Sequence, residues 1–410
     1  MPQEERVHRK DLQDFRDLPR SAILSYVQKQ AQPKVPRPRV LAAKPTRFPK
    51  LAAFMPQRVW KWISEYLRYR IGRKHPFQQY DLQGDNGVYR LKSTENEIRI
   101  VLAGDWGTGT DEAASVAKQM ACCKPHYSIH LGDVYYVGDM AEVGENFLGI
   151  ANPANQYRPC KWPPGSEGTF ALNSNHEMYA RGFGYFDGIL PKLGVRGASG
   201  GQRASYFCLE NDHWRIIALD TGYHSIGLPI LEYLFQPDCR LPEELVAWLR
   251  NVVRPRLDDP RGIVILSHHQ YYSRFDGCVP KPAQQLAEFF SRPVLWFWGH
   301  EHRLAIYREA RIGSGISAFG RCIGHGGMPV DLDTPVKNAG YTAEFVDDRV
   351  YPSDENLHVG FNGFAKMSLL ANKLTLDYID LHGTKVFQEI WTADGGQLAR
   401  TATPASEAVR

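Results

Sequence analysis

Five short segments of this chain place Asp, Asn, His and Tyr side chains directly after apolar runs. They read GDWGTGT (104–110), HLGDVYYVGD (130–139), NSNHEM (173–178), ILSHHQYY (265–272) and FWGHEH (297–302). These side chains are oxygen and nitrogen donors that suit hard and borderline metal ions. A carboxylate offers two oxygens and can bridge two cations. An amide oxygen is a neutral ligand for a divalent ion. A phenol binds well only as phenolate, a form that a strongly acidic ferric ion favours. Five such segments in series point to one polynuclear metal site assembled along a sheet edge.

Each residue also has a plainer reading. Asp105 ends the run IRIVLAG and could cap the helix that follows, but Thr110 or Asp111 can do that instead. Asp133 ends a second run, with Tyr136 three residues on; alone, Tyr136 reads as a buried aromatic with a satisfied hydroxyl. Asn175 offers an amide oxygen, and His176 beside it could face a substrate. His268 leaves the core after Val264, Ile265 and Leu266, where a single histidine is more often simply hydrogen-bonded. His300 and His302 flank Glu301 and fall on one side of an extended chain. Two imidazoles aimed at one point repel when protonated, so a shared metal explains the pair economically. His269 reads as a phosphate contact or as a support for His268. His325, in GHGGMP, reads as pocket lining or as a turn cap. Tyr272 and Arg274 either shape a substrate mouth or are ordinary surface.

The elements that must position these groups follow a strand, loop, helix, strand order from about residue 88. IRIVLAGDW, HYSIHLGD, YFCLEN, WRIIALD, RGIVILSHH and PVLWFWGH read as strands. DEAASVAKQMA (111–121), LPEELVAWLRNVV (241–253) and PAQQLAEFF (282–290) read as helices. The tail is strand-rich, with turns at Asn372–Lys373 and His382–Gly383. The glycines 104, 107 and 109 let the backbone turn sharply and approach a ligand. Mixed βαβ units followed by a β-rich end predict an α/β fold of two packed mixed sheets with helices outside.

The chain has 410 residues, 43% of them apolar, enough for a sizeable core. Its net charge of +4 is unevenly placed. Residues 1–74 hold 18 Lys and Arg against six Asp and Glu, so the remainder is mildly acidic. Residues 1–53 read as a basic, proline-containing arm. Residues 54–80 read as a basic amphipathic helix, with Val59, Trp60, Ile63, Tyr66, Leu67 and Ile71 recurring at helical spacing. Packing as an accessory helix is the favoured reading, and contact with an anionic membrane surface is the sharper one. Residues 81–400 form the expected catalytic domain and 401–410 a tail. The seven cysteines make no CxxC pair, their odd number argues against a disulfide framework, and no secretory leader or membrane span is visible. A cytoplasmic location is the default expectation, with no nucleic acid partner.

In order, the five segments resemble the calcineurin-like metallophosphoesterase superfamily, most closely its purple acid phosphatase branch. That branch is marked by DxG, GDxxY, GNH(D/E), VxxH and GHxH. The corresponding residues are Asp105-Trp106-Gly107, Gly132-Asp133-Val134-Tyr135-Tyr136, Ser174-Asn175-His176-Glu177, Ile265-Leu266-Ser267-His268 and Gly299-His300-Glu301-His302. The resemblance covers about residues 98–325, and the tail is also family-like. Ser174 stands where the branch has glycine, and Ile265 where valine is usual; neither change removes a ligand.

The resemblance implies a four-layer α/β/β/α sandwich and a binuclear centre. Asp105, Asp133, Tyr136 and His302 would hold one metal, ferric in purple enzymes. Asp133 would bridge to a second ion, Fe(II), Zn or Mn, held also by Asn175, His268 and His300. Metal-bound hydroxide would attack phosphorus, and His176 would stabilise the transition state or protonate the leaving alkoxide. The implied activity is phosphomonoester hydrolysis of a small-molecule phosphate ester. A phosphodiesterase acting on cyclic nucleotides or phospholipid head groups is the alternative enzyme, and a metal-bound scaffold docking through the basic helix the alternative outside catalysis.

Overall fold

The computed structural model describes residues 73–81, 84–93, 95–153, 158–225, 238–352 and 358–401. The expected basic arm and the helix through residue 72 lie outside the described residues. So do residues 402–410 of the expected tail. Residues 73–80 carry no helix, so the expected helix does not extend to residue 80. They form an extended strap instead. The Tyr80 hydroxyl donates to the Tyr206 carbonyl (2.6 Å), and His75 stacks on Phe186 (4.8 Å). The packed body therefore reaches back to residue 73.

Two eight-stranded mixed sheets lie face to face. The first contains β1 (Val88–Arg90), β6 (Phe207–Glu210), β7 (Trp214–Ala218), β8 (Gly262–Leu266), β9 (Val294–Trp298), β11 (Ala318–Ile323), β10 (Leu304–Ala310) and β13 (Ala343–Val346), in that spatial order. The second runs β18 (Gln397–Thr401), β17 (Lys385–Asp394), β16 (Lys373–Asp380), β15 (Gly363–Leu370), β2 (Ile98–Ala103), β3 (Tyr127–His130), β4 (Gly168–Ala171) and β5 (Gly194–Val195). A short pair, β12 (Val330–Asp331) and β14 (Val359–Gly360), stands apart.

The central strands are apolar on both faces because both faces are covered. Ile100, Leu102, Ile129 and Phe170 of the second sheet pack against Ile216, Val264, Leu295 and Phe297 of the first. Burial of each such side chain stabilises the fold by roughly 1.5–3 kcal/mol. The outer face of the first sheet is covered by α4 (Glu243–Trp248), prolonged by a π-helical turn over Leu249–Val253, and by α5 (Lys281–Gln285). The outer face of the second is covered by α1 (Asp111–Cys122) and α2 (Met140–Asn146).

α1 starts where the sequence predicts. The Thr110 hydroxyl accepts from the Ala113 N–H, and Asp111 and Glu112 occupy the first turn, where the helix dipole favours acidic groups. Ala113, Val116, Ala117 and Met120 make its buried stripe. Capping by Thr110 leaves Asp105 free for another role. Among the described residues, no helix is long and apolar enough to cross a membrane.

Strand register brings the site together. In the second sheet Ala103 pairs with His130, and His130 with Ala171, all in parallel, so β2, β3 and β4 end level. In the first sheet Ala218 pairs with Leu266, and Leu266 with Phe297, also in parallel. The two sets of carboxyl ends meet at Gly104 and Gly299. A Cβ on Gly104 would sit 2.9 Å from the Gly299 Cα, and one on Gly299 would sit 2.6 Å from Asp105 Oδ2. Glycine at both positions is what allows the edges of the two sheets to touch.

Candidate metal centre

Beyond those strand ends the loops turn sharply. Asp105, Asp133 and His300 all take positive φ (58°, 76° and 64°), the left-handed region that side-chain-bearing residues rarely enter. Such strain gathers at functional sites, where surrounding contacts enforce it. The Asp105 N–H donates to the Gly132 carbonyl (3.0 Å), and the His300 N–H to Asp105 Oδ2 (2.7 Å). Each loop therefore holds its neighbour.

Two groups of donors result. In one, Asp105, Asp133 and His302 present ligand atoms within 4.8 Å of one another. His302 Nε2 lies 3.2 Å from Asp105 Oδ1. The Tyr135 hydroxyl sits 2.9 Å from Asp105 Oδ1, 2.7 Å from Asp133 Oδ2 and 3.0 Å from His302 Nε2. In the other, His268, His269 and His300 converge within the same limit. Asn175 Oδ1 is 3.0 Å from His268 Nε2, and His300 Nδ1 is 3.3 Å from that same nitrogen. Asp133 belongs to both groups: its second oxygen, Oδ1, lies 3.3 Å from His268 Nε2.

The donors are held from behind. His268 Nδ1 lies 2.9 Å from the Leu131 carbonyl, which fixes the ring and turns Nε2 toward the cluster. His176 Nδ1 lies 2.7 Å from the Tyr136 carbonyl, and its Nε2 is 3.7 Å from Asp133 Oδ2. Ser174 caps the short helix α3 (Asn175–Tyr179) by accepting from the His176 N–H, and its hydroxyl also contacts Asp133 Oδ1 and Glu177 Oε2. Glu177 accepts from the Val134 N–H (2.8 Å), so the loops carrying Asp133 and Asn175 are clamped together.

Burial pushes the Asp105 carboxyl well up from the usual range, with the neighbouring Asp133 adding to the shift. Burial opposes ionisation of Asp133 too, but the imidazoles of His176, His268 and His300 and the Ser174 hydroxyl hold it well below that range. Burial lowers His268 to about 4, so its imidazole is neutral and able to coordinate. Burial also lowers His176. Two buried carboxylates facing each other, a neutral His268 imidazole, and one phenol shared among three acceptors make a donor set that suits a pair of cations.

The structure brings together Asp105, Asp133, Asn175, His176, His268, His300 and His302. Its arrangement of the histidine pair differs from an extended alternation. With His300 in the left-handed region, the two imidazoles serve different groups. The phenol that reaches both carboxylates belongs to Tyr135, one residue before the tyrosine that the GDxxY resemblance implies. Tyr136 places its carbonyl at His176 and its ring edge-on to Tyr135. His269 is drawn in: Nδ1 lies 3.0 Å from Thr221 Oγ1, while the buried Nε2 has no hydrogen-bond partner. His325 is buried elsewhere, among Asp347, Arg349 and Asp380 and against Gly363. Tyr272 is a core residue whose hydroxyl donates to the Ala318 carbonyl (2.8 Å). Sequence reasoning missed Tyr135, the Ser174–Glu177 clamp and Thr221. Only Tyr135 left a signal, as the first of two adjacent tyrosines.

A family model for calcineurin-like phosphoesterases matches residues 98–304, which span all five motif segments. The chain belongs to that family. The matched stretch begins at β2 and extends past His302. No curated protein sequence matches the chain. Among solved structures it is similar to a purple acid phosphatase from yellow lupin (Lupinus luteus) seeds. That likeness has 14% identity, a TM-score of 0.48, and coverage of 76% of this chain and 57% of the other. The chain thus spans somewhat over half the length of that relative. It is also similar to PhoD, at 11% identity and a TM-score of 0.43, covering 76% of this chain and 73% of that one. A dimetal phosphatase from Danio rerio gives 11% identity and a TM-score of 0.40, covering 72% and 99%.

Proposed function

We propose that this phosphoesterase is a binuclear metal-dependent phosphomonoesterase of purple acid phosphatase type. The observation that carries the reading is the position of Asp133. One of its oxygens faces His268 and the other faces Tyr135, so a single carboxylate can serve two cations. Asp105, Asp133, Tyr135 and His302 would hold the first metal, Fe(III), with Tyr135 taking the role that the family resemblance implies for Tyr136. Asp133, Asn175, His268 and His300 would hold the second: Fe(II), Zn or Mn.

When bound, the two cations would supply Lewis acidity to a phosphoryl oxygen and to water. The chain's own residues supply the rest. Asp133 fixes the spacing between the two ligand groups. His176, anchored through Nδ1, keeps Nε2 available to give a proton to the departing alkoxide. Its lowered pKa makes the protonated ring a stronger acid. His269, with its unpartnered Nε2, is placed to contact a phosphoryl oxygen. For His325 the surroundings give no support to a substrate contact.

The deciding experiment is elemental analysis with a visible spectrum, run beside a panel of phosphate mono- and diesters. Two metal equivalents, a ferric–tyrosinate band and faster monoester turnover are expected. A colourless oxidised protein with two metals would remove the ferric assignment, and faster diester turnover would replace the monoesterase reading.

The basic segment 1–74 is further proposed to bind anionic membrane surfaces, on its charge excess alone. Sedimentation with anionic vesicles tests this: binding that survives removal of residues 1–74 refutes it.

A further inference from the structure

A cavity of about 140 Å³ opens beside the metal-ligand histidines His300 and His302. Its floor is Arg303, whose residue is only 8% exposed. Burying a guanidinium is costly unless a counter-charge accompanies it. Yet among the described residues no carboxylate forms an ion pair with Arg303. The guanidinium lies flat over the Phe275 ring (3.8 Å), and Nη2 makes one long hydrogen bond to the Asp331 carbonyl (3.4 Å). The other charged groups nearby are already engaged. Lys337 pairs with Asp276, Asp331 Oδ1 accepts from the Asp333 N–H (3.0 Å), and Glu301, which also lines the cavity and attracts Arg303 from beyond ion-pair distance, contacts the Ser273 hydroxyl through Oε2. Three carboxylates share the lining, yet none of them forms an ion pair with the Arg303 guanidinium, which keeps unused donors one residue away from a proposed ligand of the reaction centre.

We infer that this cavity receives the leaving group of the substrate and that Arg303 binds a second anionic group on it, a carboxylate or another phosphate. The inference rests on the phosphomonoesterase reading and narrows it to monoesters whose alcohol portion carries its own negative charge. The geometry favours this class for three reasons. A planar guanidinium pre-oriented by stacking on an aromatic ring matches a carboxylate or phosphate edge. The cavity volume fits a compact polar alcohol rather than a lipid chain or a nucleoside. An anion arriving there would meet a positive group held away from bulk water, where pairing is strongest.

The test uses the metal-loaded full-length protein with three probes: phenyl phosphate, 4-carboxyphenyl phosphate and its neutral methyl ester. The ratio of kcat/KM for the carboxylate over the methyl ester should be about tenfold in the wild type, as expected for one charge-assisted hydrogen-bonded pair. In Arg303→Gln that ratio should fall to near one, and Arg303→Lys should restore part of it. A ratio near one in the wild type, or one unchanged in Arg303→Gln, overturns the inference. Because the readout is a ratio within one enzyme, a general loss of activity cannot imitate it. If no monoester is turned over, the monoesterase reading fails separately. Calorimetric titration of the same compounds into the metal-loaded protein then decides the inference: equal affinity for the acid and its methyl ester, or binding of neither, refutes it.

Discussion

The Tyr135 hydroxyl lies 2.7 Å from Asp133 Oδ2, the oxygen that points away from His268. A single phenol thus marks the side of the bridging carboxylate on which the first metal would sit. Tyr135→Phe should weaken binding of that metal by at least about tenfold. It should also remove any tyrosinate absorption. Tyr136→Phe keeps the carbonyl that holds His176 and should leave the band in place. Spectra and metal content of the two variants check this. A band lost in Tyr136→Phe alone would return the role to Tyr136.

His300→Ala and Asp133→Asn each remove a donor and should lose metal together with nearly all hydrolysis. His176→Ala should instead retain two metal equivalents while kcat falls by about a hundredfold or more, the usual effect of losing a general acid. Metal analysis and steady-state kinetics on the same preparations separate these two behaviours.

Chelation should lower the melting temperature, because the cations bind only the folded arrangement. At a free metal concentration a hundred times Kd, the linkage is worth about 2.7 kcal/mol per site. Calorimetry with and without chelator measures it. An apo-protein that melts with the holo-protein would mean that the donors do not hold metal together.

Ser174→Gly restores the glycine usual in the purple branch but removes both a helix cap and the hydroxyl between Asp133 and Glu177. The cap alone should cost a few tenths of a kcal/mol with glycine as the replacement. The larger expected effect is a looser α3 and weaker retention of the second metal. Denaturant melts and metal competition report the two effects separately.

Lys74 stacks over the Tyr223 ring and is half-buried, and burial lowers its pKa to about 8, partly opposed by Asp220. The unfolded chain therefore binds more protons than the folded one between about pH 8 and 10.5, so stability should rise with pH across that window. Lys74→Gln should flatten the rise. Denaturant midpoints at pH 7, 8, 9 and 10 test the sign.

Much of the centre was legible because its donors follow strands whose apolar runs stand out. Asp105 and Asp133 come directly after such runs, and His268 follows Ile265 and Leu266. The helix at 111–121 was legible for the same reason, through its cap and its buried stripe. Other features depend on the third dimension. Positive φ at His300 sends its ring away from that of His302, and a motif of alternate histidines does not encode that turn. The choice between Tyr135 and Tyr136 depends on how the loop lies over the two carboxylates. The Thr221 contact with His269 joins residues from the loops that follow adjacent strands β7 and β8, and nothing local in either segment announces it. The helical spacing that runs from Val59 stops at Ile71, and beyond it the rings of His75 and Phe77 dock on Phe186 and Tyr206.

The pairing of β15 with β2 joins the first part of the proposed centre to the end of the chain. β2 delivers Asp105 early in the chain, but its neighbour in the sheet is supplied by Gly363–Leu370, near the end. A nascent chain on the ribosome will have exposed the first carboxylates long before the strand that flanks them exists. His302, the last of the proposed ligands in the chain, also precedes that strand. Cation capture should therefore follow completion of synthesis, which makes the empty polypeptide the species that cellular metal supply first meets.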